Sequence, residues 1–280
     1  MQTPQDVQHS SYVNMTPNEC VTRHLNRTLF TKALCAVAAV ALMFPPMWAW
    51  SNDKVGFEGF ALGLALACAV ALVEVILLSR WLLDFECIMM NDCDPVKMYQ
   101  AESLLDGHLK LKNERATHLL IGAQAAMLMG DVGRAEHLMR SSVSLKAPNA
   151  SSRLLITSIE TGCAVIKQDW LTVQALRDDL NNRSQTLRGA LCNSAELQAL
   201  YACVPLAIAQ GNVLLAETLL GQSFTRAIFV EQFASLTYHQ AELEELKGNL
   251  AEARACYERA ASLGGTCHFA RSAANWLATH

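Results

Sequence analysis

Two uninterrupted apolar runs dominate the first third of the chain. Residues 33–50 contain no charge, and as a helix rising about 1.5 Å per residue they reach roughly 27 Å, close to the hydrocarbon thickness of a bilayer. Residues 57–78 carry Glu58 at their start and one charge farther in, Glu74, and lead to Arg80 and Trp81. Only six residues, from Ser51 to Gly56, separate the two runs. The pattern predicts a transmembrane helical hairpin over residues 30–83, with spans of about 33–50 and 57–80. Pro45 and Pro46 fall near the end of the first span, where they would disturb only its last turn, and Trp48 and Trp50 stand where indoles favour the membrane interface.

Positive charge flanks the hairpin unevenly. Arg23, Arg27 and Lys32 precede it and Arg80 and Lys97 follow it, whereas the connection offers Lys54 alone. The bias of Lys and Arg toward the cytoplasmic side places both termini in the cytoplasm, with a bacterial cytoplasmic membrane as the default address. No small-residue cleavage site follows the first run, which argues against a removable signal peptide. The opening arm, residues 1–29, begins with polar residues that show no periodic pattern and is expected to be a disordered cytoplasmic arm.

Beyond the hairpin the pattern turns to helical periodicity, and one short motif recurs. GDVGRAEHL at 130–138 is followed by QDWLTVQAL at 168–176, GNVLLAETL at 211–219 and GNLAEARAC at 248–256, at intervals of 38, 43 and 37 residues. Each copy follows a helical apolar stretch and opens a second one, so each unit reads as helix, tight turn, helix. The Gly (or Gln168) ends one helix, the Asp or Asn beside it caps the next, and Ala135, Ala216 and Ala253 let the two backbones approach.

These residues resemble the tetratricopeptide repeat, whose pattern pairs a small residue in the first helix and Gly at the turn with Ala, an aromatic and a further small residue in the second helix. The fourth copy matches best, with Ala241, Gly248, Leu250, Ala253, Tyr257 and Ala260. The first has Ala123, Gly130, Val132, Ala135, Met139 and Ser142, and the third keeps Gly211, Ala216 and Leu220. The second is degenerate, with Gln168, Val173 and Arg177, and the 43-residue interval implies an insertion around 181–193. The resemblance covers roughly residues 115–265. It implies an all-α fold in which the hairpin is followed, over residues 94–280, by an α-solenoid of about four degenerate helix-turn-helix repeats. A helix capped by Asp94, with Pro95 in its first turn, would open the array, and residues 268–278 would close it.

The resemblance also implies a concave groove lined by the first helix of each unit. Its inward positions would be Leu120, Gln124 and Met127, then Tyr201 and Ile208, then Tyr238, Glu242 and Glu245. Such a groove is apolar with an acidic end, suited to a helical or extended apolar segment of a partner protein that carries some basic residues.

Charge and composition narrow the remaining chemistry. The formal net charge is −4, and no clustered Lys/Arg stripe exists to follow a phosphate backbone, so nucleic acid is not expected as a partner. Ten cysteines include no C-x-x-C pair, two lie in the spans, and the spacings near Cys87, Cys93, Cys267 and His268 match no recognised zinc site. They read as free, mostly buried thiols in a reducing compartment, and no metal or cofactor is expected. No phosphate loop, H-E-x-x-H or G-x-S-x-G occurs, so an enzyme is not expected either.

Within the spans, Gly59, Gly63, Ala67 and Ala71 form a small-residue ridge at intervals of four, suited to close packing with the first helix or, alternatively, to a homodimer contact. Glu74 is the one ionisable residue well inside a span and is read as interfacial or structural ahead of ion or proton transfer. The expected function is a membrane-anchored protein-interaction scaffold or adaptor, plausibly in an envelope or secretion complex. The alternative is a subunit of an oligomeric transporter or channel with the repeats as its regulatory domain.

Overall fold

A computed structural model describes residues 9–52 and 56–280, and these are helical apart from short turns and connections. The first eight residues of the expected disordered arm, and Asp53, Lys54 and Val55 of the expected connection, lie outside the described residues. Twelve α-helices occur among the described residues. They fall into one unit of residues Asn14–Glu86 and a second that combines the described part of residues 1–13 with Cys87–His280.

The first unit consists of α1 (Pro17–Ser51) and the greater part of α2 (Phe57–Met90). α1 begins well before the expected span, so residues 17–29 are helical and do not belong to a disordered arm. The cause is a local signal: the Thr16 hydroxyl accepts from the Glu19 amide and the Glu19 carboxylate accepts from the Thr16 amide, with Pro17 supplying the first turn. At about 1.5 Å per residue its 35 residues reach roughly 52 Å. α1 runs through Pro45 and Pro46 to Ser51.

The two helices of this unit are antiparallel. Near their polar ends Arg27 Nη1 donates to Asp84 Oδ2 at 2.9 Å, its guanidinium lies 4.6 Å from the Trp81 ring, and Trp81 Nε1 donates to Thr31 Oγ1 at 3.2 Å. At the other end Pro46 rests on Gly63, where a Cβ would stand 2.9 Å from the proline Cγ. Gly63 is buried and Ala71 exposed, so the small-residue ridge meets α1 around Gly63 rather than along its full length. Large apolar side chains point outward all along the pair, among them Val37, Phe44, Leu62, Leu72 and Ile76. Both helices are long and apolar enough to cross a membrane.

The second unit continues through α3 (Pro95–Leu105), α4 (Lys112–Leu128), α5 (Val132–Leu145), α6 (Ala150–Ile166), α7 (Trp170–Thr186), α8 (Ala190–Ala209), α9 (Val213–Arg226), α10 (Val230–Leu246), α11 (Leu250–Leu263) and α12 (His268–Thr279). Four helix pairs share one turn. Gly130, Gln168, Gly211 and Gly248 all adopt the left-handed conformation, with φ of 78°, 58°, 70° and 79°. Each donates its amide three residues back, to Met127, Val165, Ile208 and Glu245, and the following Asp or Asn donates five residues back. Asp131, Asp169 and Asn212 then cap the second helix through their side chains, while Asn249 instead donates to Glu244. Ala135, Ala216 and Ala253 are fully buried one turn later, where each pair of helices is closest.

The 43-residue interval does not contain an inserted loop. α7 has 17 residues where α5, α9 and α11 have 14, and α8 has 20 where α4, α6 and α10 have 17. The extra residues extend two helices that pack closely on each other. α8, like α1 and α2, is long and apolar enough to cross a membrane. Its apolar positions Ala199, Val204 and Leu206 are instead buried within the helical array.

Successive first helices α4, α6, α8 and α10 pack on one another and α12 takes the next place, while α5, α7, α9 and α11 form an outer row. The row bends back far enough for its end to meet its beginning. Arg271 Nη2 donates to the Met129 carbonyl, the His268 ring stands against Gly130, and Thr266 N donates to the Cys93 carbonyl at 2.9 Å. A short piece of the N-terminal arm joins the same unit. Ser10 N donates to Asp92 Oδ1 at 3.0 Å, and the buried Lys97 ammonium donates to the carbonyls of Tyr12 and Val13 at 2.6 and 3.0 Å. The Tyr12 side chain is completely enclosed.

Candidate functional site

The closure of the array decides what its inner helices can offer. Leu120 and Met127 are buried, and Gln124 turns its amide toward the Met90 sulfur at 3.8 Å. Tyr201 and Ile208 pack against the core shared by α8, α9 and α10, and the Tyr201 hydroxyl is enclosed without a hydrogen-bond partner. Tyr238 packs edge-on to Tyr257 at 5.6 Å and against Phe269 at 5.4 Å. Glu242 pairs with His239 at 2.7 Å, and Glu245 accepts from Tyr257 Oη at 2.6 Å and Trp276 Nε1 at 2.7 Å. Of these eight residues two are buried and six are half-buried among the packed helices.

Gly130, Gly211 and Gly248 make the turns, and Ala135, Ala216, Ala253, Tyr257 and Ala260 are buried. In the membrane-type helices Gly59, Ala67 and Glu74 are half-buried along α2.

The open feature is on the outer row, over the degenerate second pair. At the position where the other pairs have Ala135, Ala216 and Ala253 the second has Val173, and four residues later Arg177 replaces Met139, Leu220 and Tyr257. A branched residue at the closest approach and a guanidinium where an apolar side chain should enter the seam both oppose tight packing. Arg177 turns away to Asp178 at 2.6 Å and toward the Cys203 thiol on α8. α7 accordingly packs more extensively on α8 than on α6, with Val173 and Leu180 fully buried among Ala199, Ala202 and Leu206.

A cleft of about 680 Å³ remains between α5 and α7, floored by α6. Met139, Val143, Ile156, Cys163 and Leu176 form its apolar interior. Across one end the Lys167 ammonium meets Glu136 at 2.5 Å, a contact that holds the Glu136 carboxyl below and the Lys167 amine above its usual range. Glu160 also lines the cleft and is raised by partial burial, with Arg183 opposing the rise and Asp179 adding slightly to it. No hydrogen bond or ion pair satisfies its carboxylate among the described residues. Burial, and secondarily the Glu136 charge, pushes the Cys163 thiol up to about 11, so it is a protonated, unreactive part of the floor.

Among the described residues no group of three His, Cys, Asp or Glu side chains is placed to hold a metal. The sequence carried one sign of the cleft, the departure of the second copy at Gln168, Val173 and Arg177. Periodicity did not indicate which way α7 would lean. No family model matches the chain, and neither the curated proteins nor the solved structures include a significant match.

Proposed function

We propose that the protein is a membrane-anchored interaction scaffold whose helical array, of the tetratricopeptide kind, holds a partner protein at a membrane. The observation that carries this reading is the open cleft over α6, which exposes apolar surface beside the Glu160 carboxylate in the least regular pair of the array. The partner segment is an amphipathic helix that places apolar side chains against Met139, Val143 and Ile156 and a Lys or Arg against Glu160. Its basic group would add to the positive charge that Arg183 already directs at Glu160.

α1 and α2 act as the anchor, crossing the bilayer twice, and three features support this. Their outward apolar surface fits lipid, Pro46 rests on Gly63 in the apolar region, and Arg27, Asp84 and Trp81 gather at one end. The clasp of His9, Ser10, Tyr12 and Val13 by Asp92 and Lys97 supports both termini lying on one side. Free cysteines throughout fit the reducing, cytoplasmic face, as does the Lys and Arg bias.

The test is site-specific photocrosslinking in native membranes, with the probe amino acid at Val143 in the cleft and, for comparison, at the exposed Leu214 on α9. A discrete adduct from Val143 that is lost on Glu160→Arg, with helicity unchanged, supports the scaffold. Equal, diffuse crosslinking at both positions overturns it.

A further inference from the structure

The seam that closes the array contains two thiols that belong neither to the cleft nor to the anchor. Cys93 lies just after α2 and Cys267 at the cap of α12, 174 residues apart in sequence. Each is 2% exposed. The Cys267 thiol donates to the Cys93 carbonyl at 3.8 Å, and the Cys93 side chain lies within hydrogen-bond reach of the Cys267 sulfur. The backbones are also at close quarters. A Cβ on Gly265 would stand 3.3 Å from the Cys93 Cβ, and Thr266 bonds to both the Cys93 carbonyl and the Asp94 carboxylate.

Cys93 is unusual in a second way. Its φ is 51°, in the left-handed region, where a non-glycine side chain costs about 1–2 kcal/mol. Gly or Asn would satisfy the turn with less strain. A thiol held there against another thiol, between two segments that meet only because the array closes, points to a use for the sulfur itself.

We propose that Cys93 and Cys267 are a site of reversible disulfide modification that locks the end of the array to its beginning. In the closed state both sulfurs are shielded, and contact with Cys93 together with burial holds the Cys267 thiol far above its usual range. Oxidation therefore follows local opening of α12, the last helix of the array. The opened Cys267 thiolate attacks a small-molecule disulfide of the glutathione class, forming a mixed disulfide and releasing one thiolate. When α12 returns, the Cys93 thiolate attacks the Cys267 sulfur and displaces the second thiolate, so one disulfide is reduced for each one formed. The link encloses nearly the whole second unit, which maximises its restriction of the unfolded chain.

The experiment uses the full-length protein in mild detergent, incubated with oxidised glutathione in a urea series, then alkylated and digested for mass spectrometry. The expected result is a Cys93–Cys267 crosslinked peptide, reversed by dithiothreitol, with a melting temperature about 5–10 °C higher than the reduced protein. Cys93→Ser and Cys267→Ser should each abolish both the peptide and the shift, and circular dichroism of the reduced variants separates this from misfolding. A persistent glutathione adduct on Cys267 would overturn the proposal, because it would show that the opened thiol reacts without Cys93 resolving it. Pairing of either cysteine with a different one would overturn it equally. So would alkylation of Cys267 at low urea with no disulfide formed.

Discussion

Glu231→Gln is a substitution whose effect on stability should change with pH. Glu231 stands in the first turn of α10 beside the buried Tyr201 and Cys267, and burial pushes its carboxyl from 4.5 up to about 7. An acid whose folded value is raised binds its proton more tightly in the native state. Between about pH 4.5 and pH 7 the folded chain therefore keeps a proton that the unfolded chain has released, and stability falls as pH rises through that window. At about 1.4 kcal/mol per unit the full shift corresponds to roughly 3 kcal/mol. The residue keeps some contact with solvent, and its charge gains up to about 1 kcal/mol at a helix N-terminus, so about 1–2 kcal/mol is the net expectation.

Gln cannot ionise and avoids that cost. At pH 8 the variant should melt about 2–8 °C above the wild type, and at pH 4.5 the two should coincide. Thermal unfolding of the full-length protein in detergent, followed at 222 nm at both pH values, measures this as a difference of differences in which other titrations cancel. No gain at pH 8 would refute the reasoning, since it would mean that the Glu231 charge is satisfied in the folded state. An equal gain at both pH values would refute it too, because the effect would then be one of packing.

Three further outcomes follow from named contacts. Gln168→Gly should raise stability by about 0.5–1 kcal/mol in urea unfolding, because Gln168 occupies the left-handed turn position that glycine fills in the other three pairs. Ala253→Leu should cost about 1–3 kcal/mol in the same assay, since Ala253 is fully buried at the closest approach of α10 and α11 and the seam has no room for three more carbons. Lys97→Met should release the N-terminal clasp, seen as new chymotryptic cleavage after Tyr12 with the circular dichroism of the helices unchanged.

Why part of this structure is legible in the sequence follows from the range of the interactions involved. The four turns are written in neighbouring residues. A left-handed Gly, an Asp or Asn cap and a small residue four positions beyond the cap act within one or two helical turns, so a one-dimensional pattern carries them. The apolar runs are similarly self-declaring, because length and hydropathy alone decide whether a helix matches a bilayer. The capping box at Thr16 and Glu19 was equally local. It was readable in principle but hidden by the polar composition around it, which is why α1 begins at Pro17 and not near residue 30.

The binding surface belongs to the other category. Tyr201, Tyr238 and Glu245 occupy inward positions of first helices, as their periodicity implies, yet inward is open only if the array stays open. Small angles accumulate from pair to pair until Arg271 reaches Met129 and Thr266 reaches Cys93, and no local signal records that sum. The lean of α7 toward α8 is decided in the same way, by competition between the α6 and α8 faces for Val173 and Leu180. The sequence by itself determined the helices, their turns and the two membrane-length apolar runs, since each depends on residues a few positions apart. The tertiary structure alone decided which faces remain exposed, where the cleft lies and which thiols meet, because these depend on residues that come together only when the chain has closed on itself.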